Sequence, residues 1–305
     1  MRRRTFISAA LSSGILLSRS FSVKASEHPA GPQSEPQPTF LDIRFLGTGA
    51  ADWNGKDERG ELRRLTSILV DGKYLIDFTP TDRDILPEGI RPHAIFYTHS
   101  HDDHYNPEAT LEIGVEKAYM GDTWSKAAEE EFRKAAEARS LTAPTITPLA
   151  IGQSILLDDN LIITALPANH ATGRKGEQTL MYLLEKGPVR LLYATDTGGI
   201  PAIAARLAGI DAHVSPGKPI TALIMEATMG MDYTDDFRIY THSSVETVSQ
   251  IVRVLTKTGR YKPSEGQSVY LTHMARTLHP TQEELDRTLP QPLKAAYDGL
   301  EVRFS

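Results

Sequence analysis

The chain of 305 residues contains no cysteine. That excludes disulfides, a lipid-modified cysteine anchor and a cysteine-bound structural zinc. Long apolar runs are also lacking, and no stretch has the length and apolarity of a membrane-spanning helix. Gly47 and Gly49 have no third glycine at the spacing of a dinucleotide fingerprint, so a nucleotide-cradling loop is not read there. What remains is a composition of 40% hydrophobic and 24% charged residues, that of a soluble globular protein, with a length for one large domain or two small ones.

Acids outnumber bases, but the first 25 residues carry bases and no acid. Arg2-Arg3-Arg4-Thr5-Phe6-Ile7 opens the chain, a modest apolar stretch runs from Phe6 to Leu17, and Val23-Lys24-Ala25 offers small residues to a signal peptidase. Residues 1–25 are therefore expected to be a twin-arginine export signal, which places the mature protein in the periplasm; the bland alternatives are a basic tail or a general secretion signal. Residues 26–38, rich in Pro and polar groups, read as a disordered linker, and 39–305 as the folded domain. Five of the 33 bases lie in 1–25 and none of the 39 acids, so removal of that segment leaves 28 bases and a formal charge of −11. An acidic protein repels phosphate backbones, which argues against nucleic acid and for a small-molecule substrate.

The most informative run is Thr98-His99-Ser100-His101-Asp102-Asp103-His104. Side chains two apart share a face, so His99 and His101 point together while Asp103 and His104 address a second point nearby. This suits two adjacent metal ions, and imidazole with carboxylate suits zinc, iron or manganese. His170, Asp196 and His273 each follow a short β-rich run and supply further candidate ligands. Singly each reads as a solvated loop residue; their common strand-end context argues otherwise.

The order H-x-H-x-D-H, His, Asp, His resembles the metallo-β-lactamase superfamily of binuclear hydrolases over roughly residues 40–305. The resemblance implies an αββα sandwich, with His99, His101 and His170 holding one metal, Asp103, His104 and His273 the other, and Asp196 bridging them. Two divalent ions, Zn or Mn with Fe also accommodated, would activate a shared water. The resemblance also gives Asp103 a second expected duty beside ligation, that of orienting the nucleophile. Phe45-Leu46-Gly47-Thr48-Gly49-Ala50, Glu226-Ala227-Thr228 and Ala296-Tyr297-Asp298-Gly299-Leu300-Glu301-Val302 look like the phosphodiesterase branch that includes the phosphoribosyl cyclic phosphate diesterases, with tRNA 3′-processing endonucleases more distant. The former carry a cysteine-bound structural zinc that this chain lacks. In that branch a histidine beyond the bridging Asp acts near the leaving group, and His242 matches by order; its bland reading is an exposed loop histidine. Thr228, Arg238 and Tyr240 are weaker candidates for substrate contact. His28 and His213 receive no role, and His93 and His279, which border Pro, read as structural, with His279 near enough to His273 in sequence to reach the pocket rim. The implied function is hydrolysis of a small phosphodiester, cyclic ones included; a lactonase or β-lactamase-type hydrolase is the alternative, and a non-catalytic metal-binding protein ranks below both. Relatives of this kind also suggest a homodimer.

Strands are expected at 41–46, 66–70, 73–78, 94–98, 154–157, 161–166, 179–184, 189–194, 220–225, 268–272 and 300–304. Helices are expected at 127–139, 202–208, 243–256, capped by Ser243 or Ser244, and 281–289. Asp71-Gly72 should turn a hairpin, since both positions suit φ > 0.

Overall fold

In this computed structural model, residues 39–211, 217–233 and 235–305 are described. The expected signal and linker lie outside them, as do His28 and His213.

Fourteen strands form two seven-stranded sheets. The first half of the chain supplies β1 (Leu41–Gly47), β2 (Ser67–Val70), β3 (Tyr74–Ile76), β4 (Ala94–Phe96), β5 (Lys117–Gly121) and β6 (Thr145–Leu149). The second half supplies β7 (Ser154–Leu156), β8 (Ile162–Pro167), β9 (Leu180–Lys186), β10 (Val189–Ala194), β11 (Ala222–Glu226), β12 (Val269–Thr272) and β13 (Leu293–Ala295). The last strand, β14 (Glu301–Phe304), returns to pair antiparallel with β1. Each sheet runs antiparallel through its early strands and parallel through its later ones. The two halves thus repeat a topology without repeating residues.

The strands alternate between two cores, as a period of two requires. In β10, Val189, Leu191 and Tyr193 face the core between the sheets, where they meet Ile43, Phe45, Ile76 and Phe96 of the first sheet. Leu192 and Ala194 face the opposite way, toward the helices α3 (Ala202–Leu207) and α4 (Val245–Lys257). Helices α1 (Pro107–Glu112) and α2 (Ser125–Arg139) cover the outer face of the first sheet through Ala109, Leu111, Ala128, Phe132 and Ala136. The result is the expected αββα sandwich. Strands covered on both faces need no polar side, which is why β10 reads as an unbroken buried run.

Local chemistry explains most boundaries. The α4 N-cap is Ser244, whose side chain accepts the Thr247 N–H; Ser243 instead donates to the Thr197 carbonyl at 2.8 Å. Thr281 caps α5 (Gln282–Thr288) in the same way. Asp71 and Gly72 have φ of 50° and 65°, and the Lys73 N–H closes their turn on the Val70 carbonyl. Lys73 is left over as a bulge, because Val70 pairs with Tyr74. Elements α1, β5, β6 and β13 were not expected from local pattern.

Candidate metal centre

The carboxyl ends of β3, β4, β8, β10, β11 and β12 deliver the candidate site. Three non-glycine residues there have left-handed backbones: Asp77 (φ 58°), Asp196 (φ 46°) and His273 (φ 53°). Such conformations cost about 1–3 kcal/mol each and persist where the surroundings over-determine them.

All seven candidate ligands converge. His99 Nε2 lies 3.0 Å from His101 Nδ1, which lies 3.2 Å from His170 Nε2. Beside this triangle, His104 Nε2 lies 2.7 Å from Asp196 Oδ2 and 3.3 Å from Asp103 Oδ2, and His273 Nε2 lies 3.3 Å from both of those oxygens. His99-His101-His170 and Asp103-His104-His273 are each compact enough to hold one ion, and Asp196 reaches both groups, with Oδ1 3.9 Å from His170 Nε2.

The donor set fits divalent ions on a further count. Four imidazoles give away the ring N–H that faces outward. His99 Nδ1 meets Thr98 Oγ1 at 3.0 Å, His104 Nδ1 meets Asp77 Oδ2 at 2.8 Å, His170 Nδ1 meets the Thr241 carbonyl at 3.2 Å, and His273 Nδ1 meets Thr228 Oγ1 at 2.9 Å. With these tautomers the Nε2 atoms of His99, His104, His170 and His273 present lone pairs to the centre, which His101 faces through Nδ1. His104 Nε2 is buried and makes no hydrogen bond: it and Asp196 Oδ2 converge on a common point instead of aligning as donor and acceptor. Such an orphan is costly unless a cation fills the point.

Electrostatics agree. Burial holds the His99 and His170 imidazoles below their ordinary pKa, hence neutral and ligand-ready. Burial opposes charge on Asp103 and Asp196, but neighbouring histidines hold both well below the usual carboxylate range. Burial likewise opposes charge on His104, yet Asp103, Asp196 and Asp77 together raise its pKa well above normal, so proton and metal compete for Nε2.

His242 joins the site from the segment after the 3₁₀ turn Phe237–Tyr240. Its Nδ1 lies 3.3 Å from Glu226 Oε1 and 3.4 Å from Asp196 Oδ1. Burial works against its charge, but Glu226 leads the carboxylates that push its pKa up to about 9. The Glu226 side chain is itself fully buried, held by the Thr197 N–H at 2.5 Å and the Thr228 hydroxyl at 2.5 Å. The segment seats on Gly198, where a Cβ would come within 2.6 Å of the Ile239 carbonyl oxygen, and the Asn169 amide ties down the Tyr240 carbonyl at 2.9 Å.

A cavity of about 300 Å³ opens above the ligands, walled by Ala50, Ala51, Ala275 and Leu278 and reached by Arg238. Thr228 binds Glu226, His242 and His273 and so acts within the site's scaffold. Tyr240 is 76% exposed, and its side chain has no part in the ligand cluster. His279 is buried below the site, bonded to the Ala227 carbonyl at 2.7 Å, and His93 is on the surface near Asp158. Asp77 and Glu226 carry structural duties that the sequence did not assign them; the Asp at the end of a buried apolar run was the available signal.

Comparison with known proteins places this geometry. A family model, the beta-lactamase superfamily domain, matches residues 75–274, which hold all seven candidate ligands, Asp77 and His242. No curated protein matches the sequence. Among solved structures, the metallo-β-lactamase-fold protein YhfI from Bacillus subtilis is 15% identical, with TM-score 0.59 over 86% of this chain and 99% of the other. The short form of human tRNase Z is 16% identical, with TM-score 0.59 over 86% and 98%. Zn(2+)-bound PqqB from Methylobacterium extorquens is 18% identical, with TM-score 0.59 over 86% and 99%. At such identities the likeness is one of fold.

Proposed function

This chain belongs to the metallo-β-lactamase superfamily, and from that premise we propose that it is a binuclear metal-dependent hydrolase of a small phosphodiester. His99, His101 and His170 would hold one ion, Asp103, His104 and His273 the other, with Asp196 between them. Bound there, the ions would supply an activated water and neutralise charge gathering on the phosphoryl oxygens.

The observation that carries this reading is His242 lining the cavity with the buried Glu226 carboxylate behind it. A diester with an alkoxide leaving group needs a proton donor opposite the attacking water. Glu226 takes the Nδ1–H of His242 and raises its pKa to about 9, so the imidazole is protonated on both nitrogens near neutral pH and its Nε2–H can pass to the leaving oxygen. Thr228 and the Thr197 N–H hold Glu226 in place. A cavity of about 300 Å³ suits a small molecule, and the acidic balance of the chain discourages a polyanion. One of the proteins sharing the fold is named a tRNase Z.

The test is turnover of bis-p-nitrophenyl phosphate beside a lactone and a β-lactam chromogen, with metal content assayed on the same sample. Diester hydrolysis with about two ions per chain supports the proposal. Carbonyl hydrolysis without diesterase activity overturns it in favour of a lactonase or lactamase.

A further inference from the structure

We infer that Glu177 is a positioning residue for the three-imidazole site: its carboxylate locks Ser100, the residue between His99 and His101, to the loop that carries His170. This rests on the metal-centre reading above.

The two halves of that site come from different sheets. His99 and His101 follow β4 of the first sheet, and His170 follows β8 of the second. Something must hold the two loops in register, since metal–ligand distances tolerate only a few tenths of an ångström. The Glu177 side chain is fully buried between them. One of its oxygens accepts the Ser100 N–H at 2.8 Å; the other accepts the Ser100 hydroxyl at 2.5 Å and the Thr172 hydroxyl at 2.8 Å. Ser100 is thus gripped by backbone and side chain at once, which orients the residues on both sides of it.

The grip is itself anchored. Three residues before Glu177, Arg174 donates to both carboxylate oxygens of Glu131 on α2, at 2.8 and 3.0 Å, and its guanidinium lies 5.7 Å from the Trp124 ring centre. Three residues after it, the Leu180 N–H meets the Thr98 carbonyl at 2.9 Å. The loop therefore cannot drift with Ser100. A buried carboxylate is expensive without partners, and here all its partners belong to the two ligand-bearing loops.

The experiment uses the full chain with cobalt(II) as the probe, added in successive equivalents against a competing chelator, with the visible spectrum reporting each site. Glu177→Ala should weaken binding at the three-imidazole site about 10–100-fold, the usual cost of losing an outer partner of a ligand. The Asp103-His104-His273 site should keep its affinity. Glu177→Gln should stay within a few-fold of wild type, because its amide oxygen can accept the Ser100 N–H while both hydroxyls turn to accept from its NH₂. Unchanged affinities in Glu177→Ala, or equal weakening of both sites, overturn the inference. If Glu177→Ala does not fold, Thr172→Val and Ser100→Ala decide it: selective weakening of the three-imidazole site supports the role, and unchanged or unselective binding in both overturns it. A wild-type chain that takes up no cobalt defeats the metal-centre reading itself, whereas normal wild-type uptake with unselective variants defeats only the role of Glu177.

Discussion

Asp77→Asn is the sharpest probe of the metal centre. Asp77 is fully buried and accepts three hydrogen bonds: the Thr98 N–H at 2.8 Å, the Thr98 hydroxyl at 2.7 Å and His104 Nδ1–H at 2.8 Å. Deleting the group with Ala strands three buried donors at about 1–3 kcal/mol each, a large part of a typical domain's stability, so that variant confuses folding with function. Asn keeps the volume and can still accept from the Thr98 N–H. Its NH₂ then faces His104, and a donor facing a donor forces the imidazole to carry its proton on Nε2. That tautomer cannot bind a cation. Disturbing such an outer partner costs about 10–100-fold in metal affinity, which is about 1.4–2.8 kcal/mol. The assay is elemental analysis after dialysis against graded chelator, with circular dichroism melts of the metal-free protein as the folding control. The expected result is loss of the Asp103-His104-His273 ion at roughly tenfold or more lower chelator, with a metal-free melt close to wild type. An Asp77→Asn protein that retains its metals as wild type does would refute the tautomer argument and the ligand role of His104 with it.

Other consequences are independent of Asp77. His242→Ala should lower the rate about 10²–10⁴-fold on diesters with alkoxide leaving groups, much less on p-nitrophenyl esters, with metal content intact; steady-state kinetics across leaving groups checks this. Gly198→Ala should reduce turnover while both metals stay bound, because the new Cβ displaces the Ile239–Tyr240 backbone that carries His242; the comparison of rate and metal content tests it. His279 is buried and its pKa is driven down to about 4, below the ordinary 6.5, chiefly by desolvation. The unfolded chain therefore binds this proton before the folded one does, so stability is lost as pH falls from 6.5 toward 4, by about 2 kcal/mol between pH 8 and pH 5. Denaturant melts at the two pH values should show a smaller difference in His279→Gln, and an identical difference would remove His279 as the cause.

Much of this was legible from local pattern. The alternation in H-x-H-x-D-H is a strand-end signal, and the apolar runs ahead of His170, Asp196 and His273 are buried strands, so ligand and context were written side by side. Helix α4 carried its cap and its apolar stripe within one short stretch. Strands β5, β6 and β13 were not legible. Thr145–Leu149 shows no clean alternation, and Leu293–Ala295 is three residues long, so each is a strand only because a parallel neighbour offers its edge.

What the sequence determined by itself is therefore the sandwich and the set of candidate ligands at its strand ends, because each rests on side-chain type and short-range period. The tertiary structure alone decided which nitrogen of each imidazole faces the centre, and which buried carboxylates hold the ligands there. Asp77 meets His104 from 27 residues away, Glu226 meets His242 from 16, and Glu177 meets Ser100 from 77. Such pairings have no period in the chain. Asp77 and His104 meet because β3 and β4 lie side by side in one sheet, and Glu177 reaches Ser100 because the two sheets, packed face to face, bring the ends of their strands to one edge.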